Sequence, residues 1–324
     1  MARCAVVLMN LGGPDSPAAV RPFLYNLFSD PAIIGLPALL RLPLAWLIAA
    51  RRAPVARDIY AQLGGASPLL ANTEAQASAL EAELGTGYRC FVAMRYWHPL
   101  TAAAVSTVKA WQPDEIVLLP LFPQFSTTTT ASSLAAWRRE ALRQGLVCAT
   151  KAIRSYPVAA GFIAALAQLI GDALEEAKAA GTSVRLLLTA HGLPLKIVRA
   201  GDPYPDEVHR TAVAVTQALA NPELDWRVCY QSRVGPLAWL QPSVEEELRA
   251  AGREHAGVVI APISFVSEHS ETLVELDRDY RRVAEEVGVP AYRRVPTVGT
   301  DPRFIAALAA LVREAHRSEA EPAS

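Results

Sequence analysis

Short apolar segments of strand length alternate along the chain with longer segments of helical periodicity. The pattern predicts strands at 4–9, 88–94, 115–120, 184–190, 226–231 and 257–263, with weaker ones near 147–151 and 291–294. Several of these are unbroken runs of valine, isoleucine and leucine, which is typical of parallel strands covered on both faces. Helices are predicted between them at 72–84, 100–110, 131–143, 157–179, 205–220, 243–251, 269–286 and 302–316. Such alternation indicates a doubly wound α/β fold.

The predicted strands fall into two sets of four, which suggests two similar domains. We place the boundary near residue 152, giving an N-terminal domain at 1–152 and a C-terminal domain at 153–300. The final segment, 301–324, contains one more predicted helix, which we expect to pack back on the N-terminal domain. In an open α/β sheet the ligand binds beyond the carboxyl ends of the strands, so the loops after the strands are the places to look for chemistry.

The apolar segment 31–50 does not fit the strand–helix alternation. Its length nearly matches the roughly 20 residues of a membrane-spanning helix. However, Pro31, Pro37 and Pro43 interrupt it and Arg41 lies near its middle, so we expect no transmembrane span. Two interpretations remain open. The segment is either an apolar ridge that contacts a membrane surface, helped by the arginines that follow it, or a set of short helices buried in the core.

Composition narrows the class of protein. Of 324 residues, 52% are hydrophobic and 19% are charged, which excludes disorder over most of the length. Lys and Arg total 31 against 32 Asp and Glu, so the basic excess of a general nucleic-acid binder is missing. The four cysteines are far apart and form no CxxC pair, which argues against a zinc ribbon and favours buried free thiols in a reducing cytoplasm.

A histidine follows the fully apolar strand at 184–190. His191 is followed by Gly192, Leu193 and Pro194 at the point where α/β active sites form. An imidazole takes up a proton near neutral pH and can also bind a metal. The alternative is a structural histidine that caps the turn.

The loop after the strand at 257–263 carries a second histidine and several carboxylates. His269 precedes Glu271, and Glu275 and Asp279 recur at intervals of four, which places the three carboxylates on one face of an α-helix. A line of hard oxygen ligands can pass a divalent cation inward, and a mixed His/Glu end suits a transition metal. The alternative is a solvated acidic face.

Aromatic and cationic side chains follow two other predicted strands. Arg95 and Tyr96 come after the strand at 88–94, and Trp239 lies beyond the strand at 226–231. Flat apolar ligands that carry carboxylates need both kinds of side chain. A nucleotide has little support, because neither GxGxxG nor a P-loop motif is present.

Motifs in one order and spacing resemble those of ferrochelatases, and the resemblance extends over nearly the whole chain. They are VVLMNLGGPDSP near the start, LGGASPL at 63–69, MRYWHP at 94–99, FPQFS at 122–126, LLLTAHGLP at 186–194, GDPYPDEV at 201–208, YQSRVGPLAWLQP at 230–242 and PISFVSEHSETLVELD at 262–277.

The resemblance implies two Rossmann-like, chelatase-type domains, each a parallel sheet flanked by helices, with a porphyrin cleft between them. It implies catalytic or metal-binding roles for His191, Glu271 and His269, with Glu275 and Asp279 on a path for metal or protons. We expect His191, in its neutral form, on one face of the macrocycle and the other two catalytic residues across the cleft. Expected substrate contacts are Arg95, Tyr96, Trp239, Phe265, Ile34, Ser67, Gln231 and Ser232. Of these, Ser67, Gln231 and Ser232 are expected near the porphyrin carboxylates.

The resemblance also implies the reaction, which is insertion of Fe²⁺ into protoporphyrin IX at the end of haem synthesis. Segment 31–50 matches the apolar lip of protoporphyrin-type members, and this favours protoporphyrin IX over coproporphyrin III. Another tetrapyrrole chelatase and a non-catalytic tetrapyrrole carrier are the alternatives.

Iron is a substrate here, and no tightly bound cofactor is expected. Members with a [2Fe–2S] cluster carry an internal cysteine where this chain has Thr127, and no cysteine follows Cys229, so we expect no cluster. We expect a cytoplasmic monomer or homodimer, with peripheral contact at the inner face of the membrane through the lip.

Overall fold

Unbroken apolar strands build two parallel sheets. In the computed structural model, which describes residues 3–178, 183–233, 235 and 237–317, each sheet has four strands. The first contains β1 (Cys4–Asn10), β2 (Tyr88–Met94), β3 (Glu115–Pro120) and β4 (Ala149–Ala152), in the order β2-β1-β3-β4. The second contains β5 (Val184–His191), β6 (Asp225–Gln231), β7 (Gly257–Pro262) and β8 (Tyr292–Arg294), in the order β6-β5-β7-β8. All pairings between these strands are parallel, and all eight predicted strands are confirmed.

Helices connect the strands, as the alternation predicts. They are α1 (Val20–Phe28), α2 (Ala38–Ala61), α3 (Leu69–Leu84), α4 (Thr101–Trp111), α5 (Ser132–Arg143), α6 (Ala160–Lys178), α7 (Leu195–Arg199), α8 (Tyr204–Ala218), α9 (Val244–Arg253), α10 (Tyr280–Glu286) and α11 (Pro302–Arg317). Two π-helices, Thr127–Ala131 and Glu271–Asp279, directly precede α5 and α10.

The chain divides into two compact units, each holding one sheet. The first comprises residues up to Ser155 together with those from Ile305 onward, and the second comprises Tyr156–Phe304. The predicted C-terminal helix therefore belongs, from Ile305, to the unit of the first sheet, while residues 318–324 lie outside the described part of the chain. Central strands are buried along their whole length, as β1 and β7 show, because helices cover both faces of each sheet.

Of the segment 31–50, residues 31–37 form the turn before α2 and residues 38–50 form the first half of that helix. Helix α2 contains Pro43 and Pro54 within it, and its buried stripe consists mainly of alanines at intervals of four, Ala45, Ala49 and Ala53. The larger apolar side chains lie outside, with Leu39 89% exposed and Trp46 57% exposed. The interpretation of this segment as short helices buried in the core is therefore wrong.

Arg41 of this helix is bound locally. Its guanidinium donates to the carbonyl of Ser29 at 2.9 Å and to that of Leu36, which ties α2 to the turn before it. Among the described residues, no helix is long and apolar enough to cross a membrane.

Candidate active site

Polar side chains gather at the carboxyl edge of the second sheet. His191 ends β5 and Gln231 ends β6, and the two are register partners in the parallel pair. The neighbouring strand β7 ends at Pro262, opposite Thr189, and leads through a short loop into the second π-helix. The apolar strands fix where this edge lies, and the first polar residues after them form the site.

Glu271 lies between two histidines. Its Oε2 atom is 3.0 Å from Nδ1 of His191 and 3.7 Å from Nε2 of His269. His191 comes from the end of β5, whereas the other two residues come from the start of the π-helix. The structure thus brings all three predicted catalytic residues together within the second unit.

The hydrogen bonds indicate how the two imidazoles are oriented. Nδ1 of His191 faces the Glu271 carboxylate, and Nδ1 of His269 is 3.1 Å from the carbonyl of Ser267. Each Nδ1 therefore donates to an oxygen. This leaves Nε2 of a neutral His191 with its lone pair, whereas Nε2 of His269 faces Glu271 Oε2. Nε2 of His191 and the Glu271 carboxylate are the groups that can take a proton or bind a metal ion.

The pKa values of the pair are shifted in the directions expected of an ion pair. Burial opposes the charged form of His191, but the adjacent Glu271 carboxylate more than offsets this and the pKa of His191 is raised. Burial likewise opposes the ionised form of Glu271, and the two histidines outweigh it, holding the pKa of that carboxyl well below its usual range. Without substrate, the pair favours imidazolium and carboxylate.

The direct contact between His191 and Glu271 corrects one expectation. We expected these two residues on opposite faces of the macrocycle. A 3.0 Å hydrogen bond between them leaves no space for a ring, so in this structure the two side chains do not lie across a cleft from each other.

Glu275 is held by hydrogen-bond donors from two other elements. Its carboxylate accepts from the backbone N–H and the hydroxyl of Ser232, at 2.8 and 2.5 Å, and from the amide of Gln231 at 3.1 Å. The Tyr280 hydroxyl donates to it at 3.2 Å. Burial and the nearby Glu271 charge nevertheless raise the pKa of Glu275 above its ordinary value.

Gln231 and Ser232 support the π-helix. Gln231 is fully buried; its amide accepts from Thr189 and donates both to Glu275 and to the backbone carbonyl of Glu271. The expectation of a contact with porphyrin carboxylates therefore does not match the position of Gln231 in this structure. Asp279, at the other end of the π-helix, is exposed, so the three carboxylates run from the two histidines toward solvent.

The turn after His191 requires glycine. A Cβ added at Gly192 would lie 2.8 Å from the backbone carbonyl of Gln231, which accepts a hydrogen bond from the Gly192 N–H at the same distance. The glycine thus allows β5 and β6 to stay paired to their last residues. This pairing holds His191 opposite Gln231, the residue that donates to Glu275.

A partly buried arginine fixes the loop that carries His269. Arg294, which ends β8, pairs with Glu268 at 2.7 Å and with Asp277 at 2.9 Å. Glu268 also accepts from the backbone N–H of Thr297 at 2.9 Å. The arginine therefore ties both the residue before His269 and the middle of the π-helix to the edge of the sheet.

Two predicted aromatic contacts lie beside these residues. The ring of Phe265 packs on that of His269, with centroids 4.6 Å apart. Trp239 bridges to Pro194 in the turn after His191, and within the described residues its buried indole N–H has no hydrogen-bond partner. Both belong to the second unit and adjoin the histidines.

The remaining candidates belong to the first unit, where a buried carboxylate organises two of them. Asp30, 4% exposed, accepts from Arg95 at 2.6 Å, from the Tyr96 hydroxyl at 2.7 Å and from the Ser132 hydroxyl. Tyr96 itself is buried, so it contributes mainly to this network. Although burial opposes ionisation, these donors and the Arg95 charge lower the pKa of Asp30.

Ser67 and Ile34 lie in turns of the first unit. Ser67 accepts from the backbone N–H of Leu69 at the start of α3 and packs against Gly13, where an added Cβ would lie 2.4 Å from its hydroxyl. Ile34 is half-buried in the turn between α1 and α2, where its N–H donates to the Asp30 carbonyl.

Several residues of these networks escaped prediction. Neither Asp30 nor Arg294 belongs to a periodic pattern or to a motif with known chemistry. The one sequence signal is the position of Asp30, a lone acid directly before Pro31 and an apolar segment, which indicates a buried carboxylate with partners. The π-helix was expected as an α-helix, because no spacing in the segment 271–279 distinguishes the two.

Two four-stranded parallel sheets with carboxylates and histidines at a strand edge define a chelatase-type α/β protein, and solved structures agree. SirB from Bacillus subtilis with Fe³⁺ has a TM-score of 0.58 at 12% identity, covering 98% of this chain and 96% of that one. DR2241 from Deinococcus radiodurans has a TM-score of 0.56 at 15% identity, covering 98% and 56%. At these identities the likeness concerns the fold alone.

The chain belongs to the ferrochelatase family, whose sequence model matches residues 3–316. Ferrochelatase of Caulobacter vibrioides is 55% identical over 96% of this chain and 90% of its own length. That of Phenylobacterium zucineum is 53% identical over 99% and 94%, and that of a Wolbachia strain from Drosophila simulans is 49% identical over 95% and 98%. The protein is therefore an enzyme that inserts iron into a porphyrin for haem synthesis.

Proposed function

We propose that this chain inserts Fe²⁺ into protoporphyrin IX, giving protohaem, and that His191, Glu271 and His269 do the chemistry. The observation that carries the proposal is the Glu271 carboxylate between two imidazoles, with Nδ1 of His191 bound to it and Nε2 of His191 free. Insertion replaces two inner N–H protons of the macrocycle by one Fe²⁺, so the site must accept protons and present a cation.

His191 is the proton acceptor in this scheme. With Nδ1–H bound to Glu271, the neutral ring offers Nε2 to a pyrrole N–H, and the carboxylate stabilises the imidazolium that forms. Because His191 must be neutral to accept a proton, its raised pKa predicts that turnover falls as the pH drops below a midpoint above about 6.5.

Glu275 and Asp279 form the path for protons or metal ions between Glu271 and solvent. A proton or an incoming cation passes between Glu271 and the exposed Asp279 by way of Glu275, whose raised pKa makes it accept a proton more readily than an ordinary glutamate. Gln231 and Ser232 hold Glu275 in position for this transfer. Phe265 and Trp239 supply the apolar surface for the macrocycle beside the histidines. In the first unit, Arg95 is the candidate cation for the substrate, and Asp30 holds it in position.

The choice of protoporphyrin IX rests on the exposed apolar face of α2. Leu39, Leu40 and Trp46 lie on this face, and Arg51 and Arg52 follow in the same helix. An apolar substrate delivered from a membrane suits such a surface, and the arginines suit anionic lipid. We place the enzyme in the cytoplasm, in peripheral contact with the inner face of the membrane. Thr127, at the position where cluster-containing members have an internal cysteine, favours an enzyme without a resident [2Fe–2S] cluster.

The test of substrate choice is metallation by the purified chain under anaerobic conditions. Fe²⁺ is supplied with protoporphyrin IX, coproporphyrin III or sirohydrochlorin, and the absorbance change of each macrocycle is followed. Faster metallation of protoporphyrin IX supports the proposal, whereas turnover of coproporphyrin III alone would overturn the choice of porphyrin. Tight binding of protoporphyrin IX without metallation would indicate a carrier.

The membrane contact has its own test. A variant with Leu39, Leu40 and Leu47 changed to serine and Arg51 and Arg52 changed to glutamate should lose binding to vesicles of phosphatidylglycerol and phosphatidylethanolamine. The exposed residue Leu142, in α5, gives the matched control Leu142→Ser. Equal sedimentation of the parent and the five-residue variant with vesicles would refute the contact.

A further inference from the structure

A second cluster of potential metal ligands lies at the amino end of the first sheet. Cys4 begins β1 and Glu115 begins β3, and the two are register partners. His316, in the last turn of α11, joins them, and one donor atom from each of the three residues lies within 4.8 Å of the others. The cluster shares no residue with the candidate active site, whose two histidines and Glu271 lie in the second unit.

The spacing of two donors already matches that around a bound metal ion. Glu115 Oε1 and His316 Nδ1 are 3.3 Å apart. Two donors about 2.1 Å from a tetrahedral zinc ion lie about 3.4 Å from each other. A thiolate sulfur and a nitrogen would be about 3.6 Å apart around the same ion, so the Cys4 sulfur needs a shift of about 1 Å at most.

Neighbouring side chains hold the ligands in this arrangement. Lys151 donates to Glu115 Oε2 at 3.2 Å and to the His316 carbonyl at 3.0 Å, which leaves Oε1 facing the imidazole. The ring of Tyr88 meets the His316 ring edge-on, with centroids 5.8 Å apart. Cys4 is buried and the His316 side chain is 34% exposed, so an ion would enter from the side of α11.

We propose that Cys4, Glu115 and His316 bind a borderline divalent transition-metal ion, of the class of Zn²⁺ or Co²⁺, with the fourth position open to solvent. Sulfur, nitrogen and a single carboxylate oxygen together suit such ions and disfavour Mg²⁺ and Ca²⁺. On binding, the S–H bond of Cys4 breaks, a metal–sulfur bond forms and the proton passes to water. The ion would clamp β1, β3 and α11 together.

Titration of the full-length chain with Co²⁺ under anaerobic conditions tests the site. The background is a His191→Ala, Glu271→Gln variant, so that the proposed iron site does not contribute. Binding of one equivalent is expected to give a thiolate-to-cobalt charge-transfer band in the near ultraviolet and a rise in melting temperature. Cys4→Ala should abolish the band, and His316→Ala and Glu115→Gln should each weaken binding by about tenfold or more.

Cys90→Ala is the matched control, because Cys90 lies on the neighbouring strand β2 and is not part of the cluster. It should keep the band. Absence of a thiolate band at millimolar Co²⁺ in the background protein would overturn the proposal, as would a band that survives Cys4→Ala. A band that disappears instead on mutation of Cys148, the half-buried cysteine just before β4, would overturn it as well. Circular dichroism of each metal-free variant shows that it is folded, and His316→Ala, near the end of a helix, gives an independent variant if Cys4→Ala fails to fold.

Discussion

Replacing Glu271 by glutamine separates the two effects that this carboxylate has on His191. Glutamine keeps the size of the side chain and can still accept from Nδ1, but it removes the negative charge 3.0 Å from the ring. A hydrogen bond to a charged group contributes about 1.5–3 kcal/mol. The His191 side chain is 42% exposed, so solvent screening places the lost interaction near the lower end of this range, and the pKa of His191 should fall.

The assay is an NMR titration of labelled histidine in the substrate-free protein, combined with turnover measurements. In the Glu271→Gln variant the pKa of His191 should fall, because burial is no longer offset by the carboxylate. More of the base is then neutral at pH 7, yet turnover with Zn²⁺ and protoporphyrin IX should drop by about 10²-fold, because the imidazolium formed on proton transfer loses its counter-charge.

Glu285→Gln makes the same change at an exposed site in α10 and should leave both quantities unchanged. An unchanged or higher pKa of His191 in Glu271→Gln, or turnover close to that of the parent, would refute this account of the pair.

Three further predictions concern the supports of the sites, and each is checked by urea unfolding. Asp30→Asn should lower the free energy of unfolding by about 3 kcal/mol at pH 7, because it leaves Arg95 unpaired, while the exposed Asp58→Asn should not. Because the pKa of Asp30 is lowered in the folded protein, its contribution to the free energy of unfolding is present above the unfolded-state pKa of about 3.9 and is lost as the pH falls through the folded-state pKa. Equal acid sensitivity of the parent and Asp30→Asn would contradict this role of Asp30. Gly192→Ala should lower the free energy of unfolding by about 1–3 kcal/mol, because its Cβ would meet a backbone carbonyl. Gly171→Ala in α6, where there is space for a Cβ, should raise it. The reverse order of stabilities would count against the close approach at Gly192. Arg294→Lys should cost about 1.5–3 kcal/mol and reduce turnover, since one ammonium cannot pair with both Glu268 and Asp277, and wild-type stability would argue against the clamp.

The strands and most helices could be predicted because burial on both faces leaves a direct mark in the sequence. The predicted 184–190 became Val184–His191, and the predicted 257–263 became Gly257–Pro262. His191 and Glu271 could be named because they follow such strands and occur in recognisable motifs.

What escaped prediction depends on tertiary contacts. Asp30 acquires its partners only when β2 and α5 come to it, and the Cys4–Glu115–His316 cluster joins residues from distant parts of the chain. The Leu39 face of α2 was open to two interpretations, because an apolar stripe looks the same whether it faces a core or a membrane. The hydrogen bond between Glu271 and His191 joins residues 80 positions apart, and no local spacing predicts it.

The central claim is that His191 accepts a pyrrole proton during metal insertion. The most direct measurement compares His191→Ala with the parent for both protoporphyrin IX binding, by fluorescence, and Fe²⁺ insertion, by anaerobic absorbance. The exposed residue His209, in α8, gives the control His209→Ala. The account predicts that His191→Ala binds the porphyrin with affinity close to that of the parent and does not metallate it, while His209→Ala does both. Insertion of iron by His191→Ala at a rate near that of the parent would contradict it.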